Sequence, residues 1–462
     1  MFEASLYVAR RERLMNDVGS GLIVLLGHGE PPKNYQANTY AFRQDSTFLY
    51  FFGLDQPDLA AVLDADDRRV TVFGDDLTVD QIVWTGFQPT VAERAARAGV
   101  ADTAPMAKLS EAVSVAIRKG RRVHFLPQYR AENALWLERL TGIRAEWVNE
   151  HRSLPLVMAV IEQRAHKGAE ELAELETAIA TTRDMHVLAM RMSRPGVYER
   201  EVAGAIEGLA LSQGVPVAFP VIFSIHGETL HNHYHGNRME AGQMAVNDSG
   251  AESPLGYAAD ITRTIPIGGR FTGIQRDLYL AVLDAEKKAI EAVKPGVPYK
   301  EVHLLASRIL AGAMKDLGCM KGDLDAAVAA GAHALFFQCG VGHMLGLDVH
   351  DMEALGEQYV GYDETVARST QFGLKSLRLA RKLEPGFVLT VEPGIYIIPQ
   401  LIDRWRAEGR FTEFIDYDAV AKLQGFGGIR IEDDVVVTDG GCKVLGPPIP
   451  KEIDDVEELA RG

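Results

Sequence analysis

Cysteine is scarce in this sequence. Cys319, Cys339 and Cys442 are the only three in 462 residues, widely spaced, odd in number and without a CxxC pair. That leaves no disulfide framework and points to a reducing, cytoplasmic compartment. Long apolar runs are missing as well. No stretch of 18 or more apolar residues occurs, so neither a membrane span nor a membrane partner is expected. Residues 1–16 carry Glu3, Arg10, Arg11, Glu12 and Arg13 where a signal peptide would have its apolar core. Positive charge is in deficit: 48 Lys and Arg face 64 Asp and Glu, a net charge of −16, and no basic stripe offsets it. A nucleic-acid partner is therefore not expected, because phosphate binding needs a basic surface. The remaining composition, 47% apolar and 24% charged, is that of a soluble globular chain, and its length calls for two or three cores.

Read in order, the first part of the chain alternates strand and helix patterns. Residues 2–15 set Leu6, Val8, Ala9 and Leu14 among charges and predict an amphipathic opening helix. Residues 22–26, 48–52, 60–63, 70–73 and 123–126 read as strands, and the alanine-rich stretches 91–98, 109–118 and 131–140 as helices. This alternation implies an α/β domain around a mixed sheet. Tyr40, Phe42, Phe48, Tyr50, Phe51 and Phe52 crowd one stretch and are expected in its core rather than on a binding surface. Near His166 the character changes: Ala169-Glu170-Glu171 opens a long helix with Leu172, Leu175, Ile179, Thr182 and His186 at helical spacing. The boundary expected there divides the chain into residues 1–167 and 168–462.

The second part contains an internal echo. Arg194-Pro195-Gly196-Val197 ends one helix and is followed by Glu201-Val202 and another; Lys294-Pro295-Gly296-Val297 and Glu301-Val302 repeat the arrangement about a hundred residues later. The spacing is too long for a solenoid repeat. It fits a duplicated half-domain with pseudo-twofold symmetry and a site between the halves, the alternative being two chance Pro-Gly turns.

Residues 248–264 read Asp-Ser-Gly-Ala-Glu-Ser-Pro-Leu-Gly-Tyr-Ala-Ala-Asp-Ile-Thr-Arg-Thr, two strand-like runs around a Gly/Pro/Ser turn. Asp248 and Asp260 are either turn-capping aspartates or two carboxylates aimed at a common centre. Three further stretches bear on the choice. Residues 340–351 place His343 and His350 in a glycine-rich apolar setting, Glu392 closes an apolar run before Pro393-Gly394, and residues 427–437 thread Arg430 and Glu432 through an apolar strand. Strand alternation puts Arg430 and Glu432 on one face, and likewise Thr390 and Glu392. Charges in such strands are costly to bury unless paired or bound to a cation. Arg430 can pair with one carboxylate, but four are harder to neutralise. Clustered, they would raise one another's pKa values, a conflict that two divalent cations remove. Four carboxylates and one imidazole are a hard donor set, which suits Mn²⁺ first, with Zn²⁺ or Co²⁺ also fitting. Two metals about 3.5 Å apart are a known way to activate a water.

Taken together, Asp248…Asp260-Ile-Thr-Arg-Thr, His343…His350-Asp351, Thr390-Val-Glu392-Pro-Gly and Ile429-Arg-Ile-Glu432-Asp-Asp resemble the Xaa-Pro aminopeptidase (aminopeptidase P) family of pita-bread metallopeptidases. The likeness spans nearly the whole chain: Tyr40-Ala-Phe-Arg-Gln and residues 48–53 look like that family's N-terminal domain, and Val83-Trp84-Thr-Gly resembles its tryptophan motif. The resemblance implies a creatinase-like mixed α/β domain followed by a pita-bread domain, an α/β (α+β) architecture with pseudo-twofold symmetry. It implies that Asp248, Asp260, His343, Glu392 and Glu432 hold two divalent ions, with Asp260 and Glu432 bridging. His233, in Asn232-His233-Tyr234, and His350 match histidines that flank the substrate, and Arg430 the arginine beside the bridging glutamate. A metal-bridging hydroxide then attacks the Xaa-Pro carbonyl, and Glu392 shuttles the proton to the leaving proline nitrogen. The Trp84 segment implies a homo-oligomer, dimer or tetramer. Three features depart from the family pattern: one extra residue between Asp248 and Asp260, Cys339 where many members carry histidine, and a longer insertion at residues 399–424.

The function expected is removal of the N-terminal residue from peptides with proline second. The alternative is a prolidase confined to Xaa-Pro dipeptides, with the same metals and chemistry. A non-catalytic peptide-binding module and a metal-free C–N hydrolase resembling creatinase both predict an eroded ligand set, whereas all five positions are intact.

Overall fold

The structure, a computed structural model, describes residues 1–461. By contacts the chain divides into two units: Met1–Arg164 with Met352–Tyr359, and Ala165–Asp351 with Val360–Gly462.

The first unit is built on a five-stranded mixed sheet. Its strands are β1 (Leu22–Leu26), β2 (Ala60–Asp64), β3 (Arg69–Phe73), β4 (Asp102–Ala104) and β5 (Val123–His124), in the order β4-β3-β2-β1-β5. β1 to β3 pair antiparallel, while β4 and β5 join parallel to β3 and β1. Leu22, Val24 and Leu26, alternate residues of β1, share one face. They meet Leu109, Val113, Leu137 and Leu140 from the helices Leu109–Arg118 and Ala131–Thr141.

Residues 48–52 are not a strand. They belong to the helix Ser46–Phe52, which Asp45 caps by accepting a hydrogen bond from Phe48 N at 2.8 Å. Every residue of this helix is buried, so it has no exposed face, and a short apolar run of this kind does not reveal its period. The Phe48 and Phe52 rings, four residues apart, stack at 5.0 Å. Arg10 and Arg11 reach the last carbonyls, donating to Tyr50 O at 2.9 Å and Phe51 O at 2.7 Å, where cations favour a helix C-terminus. Of the six aromatic residues expected in the core, Tyr40 is instead exposed and Phe42 only partly buried.

In the second unit the internal echo extends to hydrogen bonds. The helices Ala169–Met192 and Glu199–Ser212 form one pair, Gly273–Ala292 and Tyr299–Asp316 the other. After the first Pro-Gly turn, Gly196 N donates to Met239 O and Met239 N to Val197 O; after the second, Gly296 N donates to Leu383 O and Leu383 N to Val297 O. Glu199 N to Asn237 O and Tyr299 N to Arg381 O complete the match. A strand follows each return segment. The first copy supplies β6 (Ile222–Ser224), β7 (Met244–Ser249) and β8 (Ile261–Pro266), ordered β6-β7-β8. The second supplies β9 (Val388–Val391), β10 (Gly394–Tyr396), β11 (Gly428–Arg430), β12 (Asp433–Thr438) and β13 (Gly441–Val444), as a β13-β12-β9 sheet and a β10-β11 pair.

The run 427–437, read as one strand, is interrupted at Ile431-Glu432. Glu432 N donates to Thr262 O at 3.1 Å instead of continuing a ladder, and the chain leaves the β10 partner for the β9 partner. The insertion 399–424 folds as the helices Pro399–Ala407 and Tyr417–Val420. Among the described residues no helix is long and apolar enough to cross a membrane.

His303 and His333 lie fully buried beside each other, ring centroids 6.2 Å apart, with His303 stacked on Phe337 at 5.2 Å. Burial pushes His303 down to about 3 and His333 down to about 4. The unfolded chain therefore binds protons that the native fold refuses. The contribution of this pair to stability is complete above pH ~6.5 and is lost as pH drops from there toward 3, by on the order of a few kcal/mol. In thermal melts between pH 7 and 4, His303→Phe is expected to gain melting temperature relative to the wild type as the pH falls. Superimposable pH profiles for the two proteins would refute the assignment.

Candidate active site

The site begins with a hairpin. β7 and β8 pair with Asp248 opposite Thr262 and Ser249 opposite Ile261, and the same register continues through Ala259 N to Ala251 O and the Glu252–Ala258 bridge. Residues directly opposite share a face, so Asp248, Thr262 and, opposite Gly250, Asp260 project to the same side. A Cβ on Gly250 would strike the Ala259 carbonyl. The turn is closed by Ser253, whose Oγ accepts from Leu255 N and Tyr257 N.

The second half contributes by the same logic. Asp248 follows Met239 by nine residues, and Glu392 follows Leu383 by the same nine. Asp260 immediately precedes β8, and Glu432 immediately precedes β12. Each half thus offers one carboxylate from its first strand region and one at the entrance to its second. His343 is held against this set by two hydrogen bonds to Thr390 of β9: His343 N donates to Thr390 Oγ1 at 3.2 Å and Thr390 N to His343 O at 3.0 Å. A Cβ on Gly342 would overlap the Thr390 carbonyl, so the close approach requires glycine.

These residues line a pocket of about 300 Å³. Asp260, His343 and Glu432 offer ligand atoms within 4.8 Å of one another, all three buried. His343 Nε2 lies 3.3 Å from Asp260 Oδ2 and 3.6 Å from Glu392 Oε1. Its Nδ1 donates to Met344 O at 3.0 Å, which fixes the tautomer and turns the Nε2 lone pair toward the carboxylates. Arg430 donates to Asp248 Oδ2, to Thr262 Oγ1 at 2.9 Å and to Tyr396 Oη at 3.2 Å. Thr262 Oγ1 donates to Glu432 Oε2 at 2.6 Å.

The electrostatics are unbalanced. Arg430 is hydrogen-bonded to only one of the four carboxylates, and burial pushes Asp248 up to about 7 and Glu392 up to about 7, with Asp260 raised and Glu432 well above the usual carboxylate range. Asp248 Oδ1 and Glu432 Oε1 are buried without a hydrogen-bond partner. Unpartnered carboxylate oxygens beside an oriented imidazole lone pair fit hard divalent cations, which supply the missing charge and coordination together. The donor set is therefore compatible with the two ions inferred from the sequence.

Of the residues expected beside the substrate, His350 lines the pocket, its ring 4.4 Å from that of His343, and Arg430 lies in its wall. His233 does not line it. That side chain is exposed, and the pocket is reached instead by His231, two residues earlier. Asn232 braces the segment between the two histidines: its Nδ2 donates to Ser224 Oγ and its Oδ1 accepts from Tyr234 N, and His231, itself exposed, is the one that borders the pocket. Burial and Arg430 lower the His231 pKa against the pull of Asp248, which favours a neutral ring. Sequence reasoning also missed Gln338, Phe372 and Arg378, which line the pocket without any motif to mark them.

Residues 173–439 match metallopeptidase family M24, more than half of the chain. The chain belongs to metallopeptidase family M24. Residues 7–125 match the aminopeptidase P N-terminal domain. The metallopeptidase is 31% identical to the human Xaa-Pro dipeptidase over 99% of its own length and 94% of that relative. It is 30% identical to the Xaa-Pro aminopeptidase of Escherichia coli K12, covering 97% and 96%. Among solved structures, aminopeptidase PepP of Pseudomonas aeruginosa superposes with a TM-score of 0.82 at 27% identity, over 100% of this chain and 98% of that one. The metallopeptidase fold thus has the two-part α/β architecture anticipated from the sequence.

If the carboxylate cluster is a cation site, metal-free protein is expected to gain a few degrees in melting temperature on adding Mn²⁺, corresponding to about 3 kcal/mol at a hundredfold excess over Kd. Glu432→Gln is expected to shrink that gain. Scanning calorimetry after exhaustive chelation decides it: no shift in the wild type, or an undiminished shift in the variant, rejects the site.

Proposed function

We propose that the enzyme is an Xaa-Pro aminopeptidase, hydrolysing the bond between the first residue of a peptide and a proline in second position. The observation that carries this reading is the convergence of Asp260, His343 and Glu432 beside unpartnered Asp248 and Glu432 oxygens in one pocket. Asp248, Asp260, His343, Glu392 and Glu432 would hold two divalent ions, with Asp260 and Glu432 shared between them. Mn²⁺ is the first choice for so oxygen-rich a set. When bound, the ions lower the pKa of a water and polarise the scissile carbonyl.

The remaining roles fall to the chain itself. Glu392 accepts the proton of the attacking water and returns it to the leaving proline nitrogen, a transfer that requires a carboxylate within hydrogen-bond reach of both. His231 and His350 face the pocket and donate to the oxygen on which negative charge develops. Arg430 restrains Asp248 through one oxygen and leaves the other for coordination. In this assignment residues 168–462 carry catalysis and residues 1–167 form the N-terminal domain.

A second reading, an Xaa-Pro dipeptidase, is favoured by one feature: Arg378 on the pocket wall. A guanidinium there suits the free carboxylate that proline carries in a dipeptide, a group absent from that place in a longer peptide.

A homo-oligomer, dimer or tetramer, accounts for the helix Val79–Thr85, which buries none of its residues. Val79, Val83, Trp84 and Phe87 are 74–87% exposed, an apolar face suited to a second copy of the chain. Three cysteines outside any disulfide fit a cytoplasmic setting.

Turnover of Ala-Pro against Ala-Pro-Ala separates the two readings. The tripeptide is expected to be cleaved, and activity restricted to the dipeptide, lost in Arg378→Ala, would replace aminopeptidase by dipeptidase. Glu392→Ala is expected to abolish turnover. His231→Ala should lower kcat by about 10²-fold with metal content unchanged, a larger loss than the same change at His233. Sedimentation of Trp84→Glu is expected to show smaller assemblies than the wild type; identical sedimentation would place the oligomer contact elsewhere.

A further inference from the structure

The insertion 399–424 has an aromatic core of its own. Trp405, on the helix Pro399–Ala407, is 2% exposed. Its indole meets the Phe411 ring at 5.3 Å, takes the Arg410 guanidinium over its face at 4.5 Å and contacts Phe372 edge-on at 5.7 Å. Phe411 adopts a left-handed backbone, φ 52°, unusual for so bulky a residue. Hydrogen bonds from Arg410 N to Trp405 O and from Phe414 N and Ile415 N to Phe411 O fix that turn. The far end is tied down by a Met320–Ile415 bridge and by bonds from Lys321 N to Phe414 O and Asp416 N to Cys319 O. Trp405 therefore stands on a braced support.

Phe372 is where this support reaches the pocket. It lines the cavity, is only partly buried, and has the Lys375 ammonium 5.5 Å from its ring. Leu230 is the one other large apolar side chain in the lining; the rest are charged, polar or small. An apolar substrate side chain has these two surfaces to rest on. The proline in an Xaa-Pro substrate is constant, so selectivity falls on the variable first residue.

We propose that Trp405 is a positioning residue: it holds Phe372 as the apolar wall for the first residue of the substrate, and through it the insertion sets selectivity there. This role presupposes that the pocket is the peptidase site proposed above. A ring free to swing out of the wall costs a bulky substrate its apolar contact and costs glycine nothing.

Steady-state kinetics of the metal-loaded, full-length protein on Phe-Pro-Ala and Gly-Pro-Ala tests it. Trp405→Ala is expected to lower the ratio of kcat/KM between the two peptides roughly tenfold, through KM for the bulky one, the size expected for a lost apolar contact. Phe372→Ala should do the same, and the double variant no more than either single change, because the two residues act as one unit. Trp405→Phe should restore most of the ratio. A ratio unchanged in Trp405→Ala, equal losses of kcat on both peptides, or additive effects would overturn the proposal while leaving the peptidase reading intact. Failure of the wild type to cleave either peptide would refute that reading and this role with it. If Trp405→Ala does not fold, Trp405→Leu and Phe372→Leu read the same coupling.

Discussion

The constraint on which this fold turns is the burial of four carboxylates around one imidazole. Taking charges out of water is costly, and like charges brought together compound the cost. Arg430 meets only part of it, pairing with one oxygen of Asp248 while Thr262 shares a proton with Glu432. Behind this layer lies a second, in which Asp433 has two cationic partners. Arg263, on the opposite face of β8, is completely buried and donates to Pro450 O, Thr262 O, Glu432 O, Ile449 O and the Asp433 carboxylate. Lys451 bonds Asp433 from the other side, and Asp433 is held down to about 2. The contrast is informative. Asp433 is met by counter-charge from two sides, whereas Asp248 and Glu432, which line the pocket, each keep an oxygen without a partner.

Duplication explains how four such residues come together. The two Pro-Gly turns and their return segments repeat the same three hydrogen bonds, and a strand follows each. A feature that each copy carries once is therefore delivered twice about a pseudo-twofold relation. Asp248 and Glu392 are such a pair, and Asp260 and Glu432 another. The halves then diverge. The first keeps β7 and β8 as a tight hairpin, whereas the second inserts residues 399–424 between its carboxylates, which lets one strand register end at Arg430 and another begin at Asp433.

Much of this was legible in the sequence because it is written in local pattern: the strands of the first sheet, the long helices, the Pro-Gly echo, and carboxylates stranded in apolar runs. What escaped notice depended on information that pattern does not contain. The helix Ser46–Phe52 is buried on every side, so no exposed face marks its period against that of a buried strand; its cap at Asp45 and the arginines at its end decide the matter. His231 and His233 lie two apart in a loop, where alternation has no authority, and the Asn232 hydrogen bonds brace the segment between them. Phe372 and Trp405 acquire meaning only through a contact across 33 positions.

The extra residue between Asp248 and Asp260 finds its account in ladder parity. With Asp248 opposite Thr262 and Ala251 opposite Ala259, partners keep a constant register, and residues an even number apart across the turn project to the same side. An interval of twelve meets that condition without distortion of the strands; an odd interval would need a bulge to bring the second carboxylate back to the face of the first. Gly250 completes the arrangement, because the position opposite Asp260 has no room for a Cβ. At this interval the two aspartates converge on a regular ladder, and Ser253 ties the turn between them.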